Sequence, residues 1–302
     1  MSKYFDNKDS FMGPKTTQYG SHMVMTNVVK ETRKKYINID SRFHDEYMNV
    51  DAASYTITLP ERINDVKSLC VCNAEIPMSI YNVSADLGNN CFKVTSSGTS
   101  SIITIPDGNY AADSLVTAIS TALTGTTLSC SVVNNKFTFT LTSGSADTTI
   151  DFAIDGTGAY DKYNFKGKFG WMVGYRELSI ELSDSADDSV SGTAFVNLQS
   201  PRYLYFVVDE FTRGNQNSFM SPLAASFINK NILARIVLDS VNYPYGSILT
   251  ANLFNGHLLS DCRSYTGKVD LQRLSVQLVN EYGIPVNLNG LDFSFCLEVQ
   301  YE

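Results

Sequence analysis

The 302-residue chain is 43% hydrophobic and 18% charged, which excludes a disordered tail and leaves room for one large domain or two small ones. With 23 Lys and Arg against 31 Asp and Glu it carries a formal charge of −8, which works against generic binding to a phosphate backbone or an anionic lipid surface. No apolar run reaches the roughly 18 residues that span a bilayer, and the polar start MSKYFDNKDSFMG lacks the apolar stretch of a secretory signal, so a soluble chain used on the cytoplasmic side is expected.

Residues 1–35 show little apolar periodicity and end in Lys30-Glu31-Thr32-Arg33-Lys34-Lys35, the profile of an N-terminal arm that orders on a partner. Beyond it, seventeen Tyr and seventeen Phe interleave with Val, Ile and Thr, residues that fit a pleated, half-buried surface. Tyr55, Ile57 and Leu59 alternate with Ser54, Thr56 and Thr58, which predicts a strand with one face on a core. The stretch 88–175 reads differently. After Ile102 to Ile105, the cluster Pro106-Asp107-Gly108-Asn109 turns the chain, and Leu115, Ala118, Ile119, Ala122 and Leu123 recur at helical spacing until Gly125. Asp113 favours the positive end of that helix. Phe137, Phe139 and Leu141 then alternate as a strand.

Further on, Leu178, Ile180 and Leu182 alternate with Glu177, Ser179 and Glu181. The run Tyr203 to Val208 is apolar on both faces, so it is covered on two sides, either within the fold or by a neighbouring subunit. Val269 and Leu271 sit in one phase and Leu274, Val276 and Leu278 in the other, which predicts a bulge near Gln272-Arg273. Phe293, Phe295, Leu297, Val299 and Tyr301 close the chain as a long strand. The expected organisation is an arm (1–35), an antiparallel all-β body (36–87 and 176–302), and a small α+β domain inserted at a loop (88–175).

Residues that carry chemistry are sparse. His22, His44 and His257 form no HxH or HxxxH pair and read as hydrogen-bonded structural residues. Cys70 and Cys72 point to one face of a strand, but no second close pair completes a zinc site, so they read as core packing. Asp184, Asp187 and Asp188 crowd one loop, where hard oxygen ligands could hold calcium. The loop lacks the alternate-position ligands and bidentate Glu of an EF-hand, so a solvated acidic turn is the better reading. Tyr243-Pro244-Tyr245-Gly246, and Trp171 with Tyr175, could form an aromatic platform for a sugar ring, although aromatic turn residues more often pack or mediate interfaces. No GxSxG, P-loop or GxGxxG occurs. No catalytic, cofactor-binding or metal-ligating residue is nominated, and no cofactor is expected.

Several segments, in order, carry a resemblance. Tyr36-Ile37-Asn38-Ile39-Asp40-Ser41-Arg42, Tyr55 to Pro60, Val66-Lys67-Ser68-Leu69 and Glu75-Ile76-Pro77 with Tyr81 are followed by Gly88-Asn89-Asn90 and Ile105 to Tyr110. Leu271 to Leu278, Glu281-Tyr282-Gly283, Leu288-Asn289-Gly290 and the ending Tyr301-Glu302 complete the series. Together they resemble the penton and minor capsid proteins of virophages and related large eukaryotic double-stranded DNA viruses, with the mavirus-type penton as the nearest pattern.

The resemblance implies a single jelly-roll β-sandwich, five copies of which close a ring at the fivefold vertex of an icosahedral shell. It implies a virion protein assembled in the host cytoplasm, with itself, double jelly-roll hexon trimers of the major capsid protein, and minor capsid proteins as partners. A cyclic ring needs two different patches that meet with a closing rotation. The run Tyr203 to Val208 and the aromatic turns are candidates for that surface, and residues 30–35 for a contact with the inner capsid. No enzyme activity, specific nucleic acid or membrane span is expected. The alternative is a jelly-roll binding module that recognises host-surface glycans through its inserted domain. A hydrolase would need carboxylates clustered in a cleft, and no pair is nominated.

Overall fold

A computed structural model describes residues 31–46, 53–142, 145–183, 188–199, 201–211, 219–223 and 226–302. Its largest sheet has eight strands: β1 (Arg33–Asp40), β2 (Ser54–Pro77), β10 (Tyr203–Asp209), β11 (Ile232–Val237), β12 (Ile248–Asn252), β13 (Leu258–Ser260), β14 (Arg263–Val279) and β15 (Ser294–Tyr301). They lie in the order β1-β15-β2-β14-β10-β11-β13, with β12 also on β2, and every pair is antiparallel. The sheet curls on itself, so that Val71 N in β2 donates to Ser260 Oγ in the edge strand β13 at 3.1 Å. This is the jelly-roll β-sandwich with antiparallel strands.

The alternating residues make its interior. Tyr55, Leu59, Leu274, Val276, Leu278, Phe295, Leu297 and Val299 are all buried in one cluster, with Phe206 edge-on to Phe295 at 4.6 Å. The phase change in β14 is a set of register shifts against β2, one of them between Leu271 and Arg273, where the sequence places its bulge.

Three expectations change. The sheet begins at Arg33, not Tyr36: Arg33, Lys34 and Lys35 belong to β1, and Lys34 pairs with Glu298 at 2.6 Å. The basic end of the predicted arm is therefore a charged edge strand, a device that discourages edge-to-edge pairing. Residues 1–30 lie outside the described residues.

Second, the run Tyr203 to Val208 is covered from within. Leu204, Phe206 and Val208 face the main core, while Tyr205 and Val207 pack with Ile228, Ile232 and Val279. Phe219 and Leu223 add to that second cluster, and Tyr205 Oη bonds Ser221 Oγ at 3.0 Å. The run leaves no apolar face for a neighbouring subunit.

Third, Leu178, Ile180 and Leu182 do not join the main sheet. The smaller unit contains β3 (Cys91–Ser96), β4 (Thr99–Thr104), α1 (Ala112–Ala122), β5 (Leu128–Val133), β6 (Lys136–Leu141), β7 (Thr148–Asp151) and the short helix α2 (Phe169–Met172). Its sheets run β4-β3-β7-β8 and β5-β6-β9, where β8 (Ser179–Leu182) and β9 (Ser189–Ser191) come from sequence beyond residue 175. Leu115 and Ile119 of α1, Phe137, Phe139, Ile180 and Leu182 share one core with Phe92, Phe152 and Phe169.

Candidate functional site

The segment after β7 is shaped by close backbone contacts. A Cβ on Gly170 would stand 2.5 Å from the Phe152 ring, so α2 lies directly on that aromatic core. Gly174 has φ +101°, and a Cβ there would meet Ala194 O at 2.2 Å. These glycines press the turn Lys166–Arg176 against the unit's core and leave its polar side chains facing the body. A preceding 3-10 turn, Lys162–Gly167, is held by Lys168, whose buried Nζ reaches Asp161 Oδ2 at 2.9 Å. That bond holds the Asp161 carboxyl below its ordinary pKa.

Opposite stands the turn after β14. Asn280 Oδ1 accepts from Tyr282 N at 2.9 Å and Ile284 N at 3.0 Å, which fixes Glu281 and Tyr282 toward the smaller unit. Tyr282 packs beside Gly167. Between the two turns lies a cleft of about 330 Å³, lined in part by Lys166, Trp171, Arg176, Arg202, Glu281 and Tyr282. Gln199 and Arg202 also line a second, more apolar cavity of about 470 Å³ with Met78, Ile80, Tyr110 and Tyr245.

Two cations of the cleft are held by ring and carbonyl contacts. The Arg176 guanidinium stacks over Trp171 at 3.9 Å, and its Nη1 donates to Trp171 O at 2.8 Å and Tyr175 O at 3.1 Å. Lys166 approaches the same ring at 5.7 Å. Among the described residues, Lys166, Arg176 and Arg202 form no salt bridge. Burial pushes the Glu281 carboxyl above its ordinary pKa, and its Oε2 has no hydrogen-bond partner. Burial, and then the Glu281 charge, raise the Tyr282 hydroxyl as well.

The structure scatters the residues that the sequence grouped. Tyr175 is buried, stacked on Phe152 at 4.9 Å, with its hydroxyl donating to Val190 O at 2.8 Å. It takes no part in a platform with Trp171, one ring face of which is taken by Arg176. Tyr245 stacks on Tyr81 at 6.2 Å beside the other cavity, and Tyr243 meets His257 edge-on at 5.6 Å. His44 Nδ1 accepts from Glu46 N at 3.0 Å.

His22, Asp184 and Asp187 lie outside the described residues, and the backbone oxygen of Asp188 accepts from Leu141 N. Burial raises the thiol pKa of Cys70 and lifts that of Cys72 to about 11. Among the described residues, no group of three or more His, Cys, Asp and Glu is placed to hold a metal ion. No helix among them is long and apolar enough to cross a membrane.

The residues that sequence reading missed are Lys166, Arg176, Arg202 and Glu281. The one sequence signal was the repeated lysine in Lys162-Tyr163-Asn164-Phe165-Lys166-Gly167-Lys168 beside the single Trp.

No family model matches the chain, and no curated protein matches it. Among solved structures, the chain is similar to the crystal structure of selenomethionine-labelled mavirus penton protein, with TM-score 0.42 and 12% identity, over 90% of this chain and 100% of the other.

Proposed function

We propose that the chain is a structural, non-enzymatic capsid protein that forms the pentameric vertex, the penton, of an icosahedral double-stranded DNA virus or virophage shell. Its location is the virion, after assembly in the host cytoplasm. Its partners are copies of itself, hexon trimers of the major capsid protein and minor capsid proteins.

The observation that carries this reading is the exposure of large apolar side chains along one edge of the jelly roll. Between Val241 and Leu259, Val241 is 81% exposed, Ile248 62%, Phe254 98% and Leu259 58%, with Tyr245 and Leu253 about half exposed. Edge strands β12 and β13 lie in this segment. Apolar surface of this kind, on a sheet edge, is what a subunit presents to a neighbour. The ordered motif series from Tyr36 to Glu302 agrees with it. A durable ring of this kind would bury about 2,000 Å² or more at each interface.

We also propose that the chain divides into a jelly roll and an inserted α+β domain, and one residue supports this reading. Asn82 Nδ2 donates to Tyr110 O at 2.8 Å and Leu198 O at 3.1 Å, and its Oδ1 accepts from Tyr110 N at 2.9 Å. Asn82 thus ties the outgoing chain to the returning one, which supports an insertion of the kind expected over 88–175.

Analytical ultracentrifugation of the purified protein tests the reading. A fivefold species that places at particle vertices by imaging supports it. A protein that stays monomeric at all concentrations and is absent from particles overturns it. A second reading, attachment to host-surface glycans through the insertion, is favoured by the cleft of unpaired cations at the junction. It is compatible with the first.

A further inference from the structure

We propose that the cleft between the insertion and the jelly roll binds an acidic saccharide, one bearing a carboxylate or a sulfate. This deepens the attachment reading and rests on it, not on the vertex reading.

Charge comes first. The chain carries −8 overall, yet three cations that form no salt bridge among the described residues, Lys166, Arg176 and Arg202, line one concavity. Glu281 in the same lining offsets part of the Arg202 charge, and the cleft keeps a net positive charge that an anionic ligand complements. Arg176 is held in advance, because Trp171 stacks on its plane and two carbonyls take Nη1. Nη2 and Nε keep their donors for the ligand in the fixed planar geometry that suits carboxylate and sulfate.

The acceptor side narrows the class. Glu281 Oε2 is shielded from water and unbonded, and a bare oxyanion brings it no donor. A sugar hydroxyl does, and the neighbouring amides of Asn197, Gln199 and Asn280 suit the same chemistry. A volume of about 330 Å³ exceeds the needs of an inorganic ion and lies at the lower end of small-ligand pockets, roughly 300–1,000 Å³. The ligand would also touch both units, so binding would stiffen their junction.

Trp171 is the chain's single tryptophan, so its emission reads the site directly in the intact protein. Titration with a sulfated disaccharide, with sialic acid, with neutral lactose and with inorganic sulfate compares the sources. Saturable change with either acidic sugar, at least tenfold tighter than with lactose or sulfate, supports the proposal. Arg176→Gln should weaken that binding tenfold or more. Lys93→Gln, on strand β3 and outside the cleft lining, should leave it unchanged, and both variants should keep the wild-type circular dichroism and sedimentation. Equal response to lactose, response to inorganic sulfate alone as an adventitious ion, or no response from a folded protein overturns it. Since oligomer mass is read on the same samples, failure here is distinct from failure of the vertex reading.

Discussion

Arg263 Nη1 donates to both carboxylate oxygens of Glu210, at 2.8 and 2.7 Å, in a setting where each side chain is at least 96% shielded from solvent. The same guanidinium donates to Val208 O at 2.9 Å and Asn231 O at 3.0 Å, and Tyr265 Oη donates to Glu210. The pair locks the start of β14 to the end of β10. Glu210→Ala leaves a buried, unpaired guanidinium and should cost about 3–5 kcal/mol in urea unfolding. The double change Glu210→Leu with Arg263→Met removes both charges and should recover a large part of that loss. A single Glu210→Ala within about 0.5 kcal/mol of wild type would show that the pair is not buried in solution.

Gly174 is irreplaceable for two independent reasons, its positive φ and the Ala194 carbonyl 2.2 Å from where a Cβ would sit. Backbone strain and steric overlap each cost roughly 1–3 kcal/mol. Gly174→Ala should therefore lower stability by about 3 kcal/mol or more and loosen the Trp171 turn. The check is a red shift of Trp171 emission, together with a lower thermal midpoint. Gly125→Ala, where φ is also positive but no atom lies within 4 Å, should cost clearly less.

These two sites mark the limit of what the sequence shows. Alternation placed Tyr55, Leu278 and Phe295 in a core, because a strand's period of two reports which face is buried. The helix from Asp113 to Ala122 and the bulge near Arg273 were legible for the same reason, a change of period or phase. Periodicity does not say which sheet a strand joins. Leu178 to Leu182 alternates as well as Tyr55 to Leu59, yet it pairs with β7, a long-range choice made by the Phe92–Phe152–Phe169 core. The two-faced run Tyr203 to Val208 posed a question that only the packing of Ile228 and Ile232 answers. The cleft was less legible still, since Lys166, Arg176, Arg202 and Glu281 are more than a hundred residues apart at the extremes.

Phe254 is 98% exposed at the tip between β12 and β13, and a side chain of that size gains about 1.5–3 kcal/mol when buried. If it seats against a neighbour, Phe254→Asp should weaken each subunit contact by roughly 10- to 100-fold, a factor of ten per 1.4 kcal/mol. Sedimentation should then show monomers where the wild type shows rings, with unchanged circular dichroism. Phe43→Asp, at an exposed site on the 3-10 turn after β1, tests whether any exposed aromatic has the same effect. Loss of the ring in both variants alike would remove the special role of the β12–β13 edge.

Glu281 carries its charge at a cost to the fold. Burial raises its folded pKa above the ordinary 4.5, with Arg202 opposing the shift, while Tyr282 and Tyr203 face it as neutral groups. The folded state therefore binds the proton more tightly than the unfolded chain does. Stability from this group falls as pH rises from the ordinary value through the raised one. Glu281→Gln removes the charge while keeping the shape. It should raise stability at pH 7 by about 1 kcal/mol, or roughly 2–4 °C in thermal midpoint, and the gain should disappear below about pH 4. The same variant keeps the Arg176 contact but loses the hydroxyl acceptor at Oε2, so its affinity for an acidic saccharide should fall, by less than in Arg176→Gln. A charge that destabilises the fold yet faces a cleft of unpaired cations is the trade a binding site makes. A gain over wild type that is no larger at pH 7 than at pH 4 would mean that Glu281 is solvated and the cleft open to water.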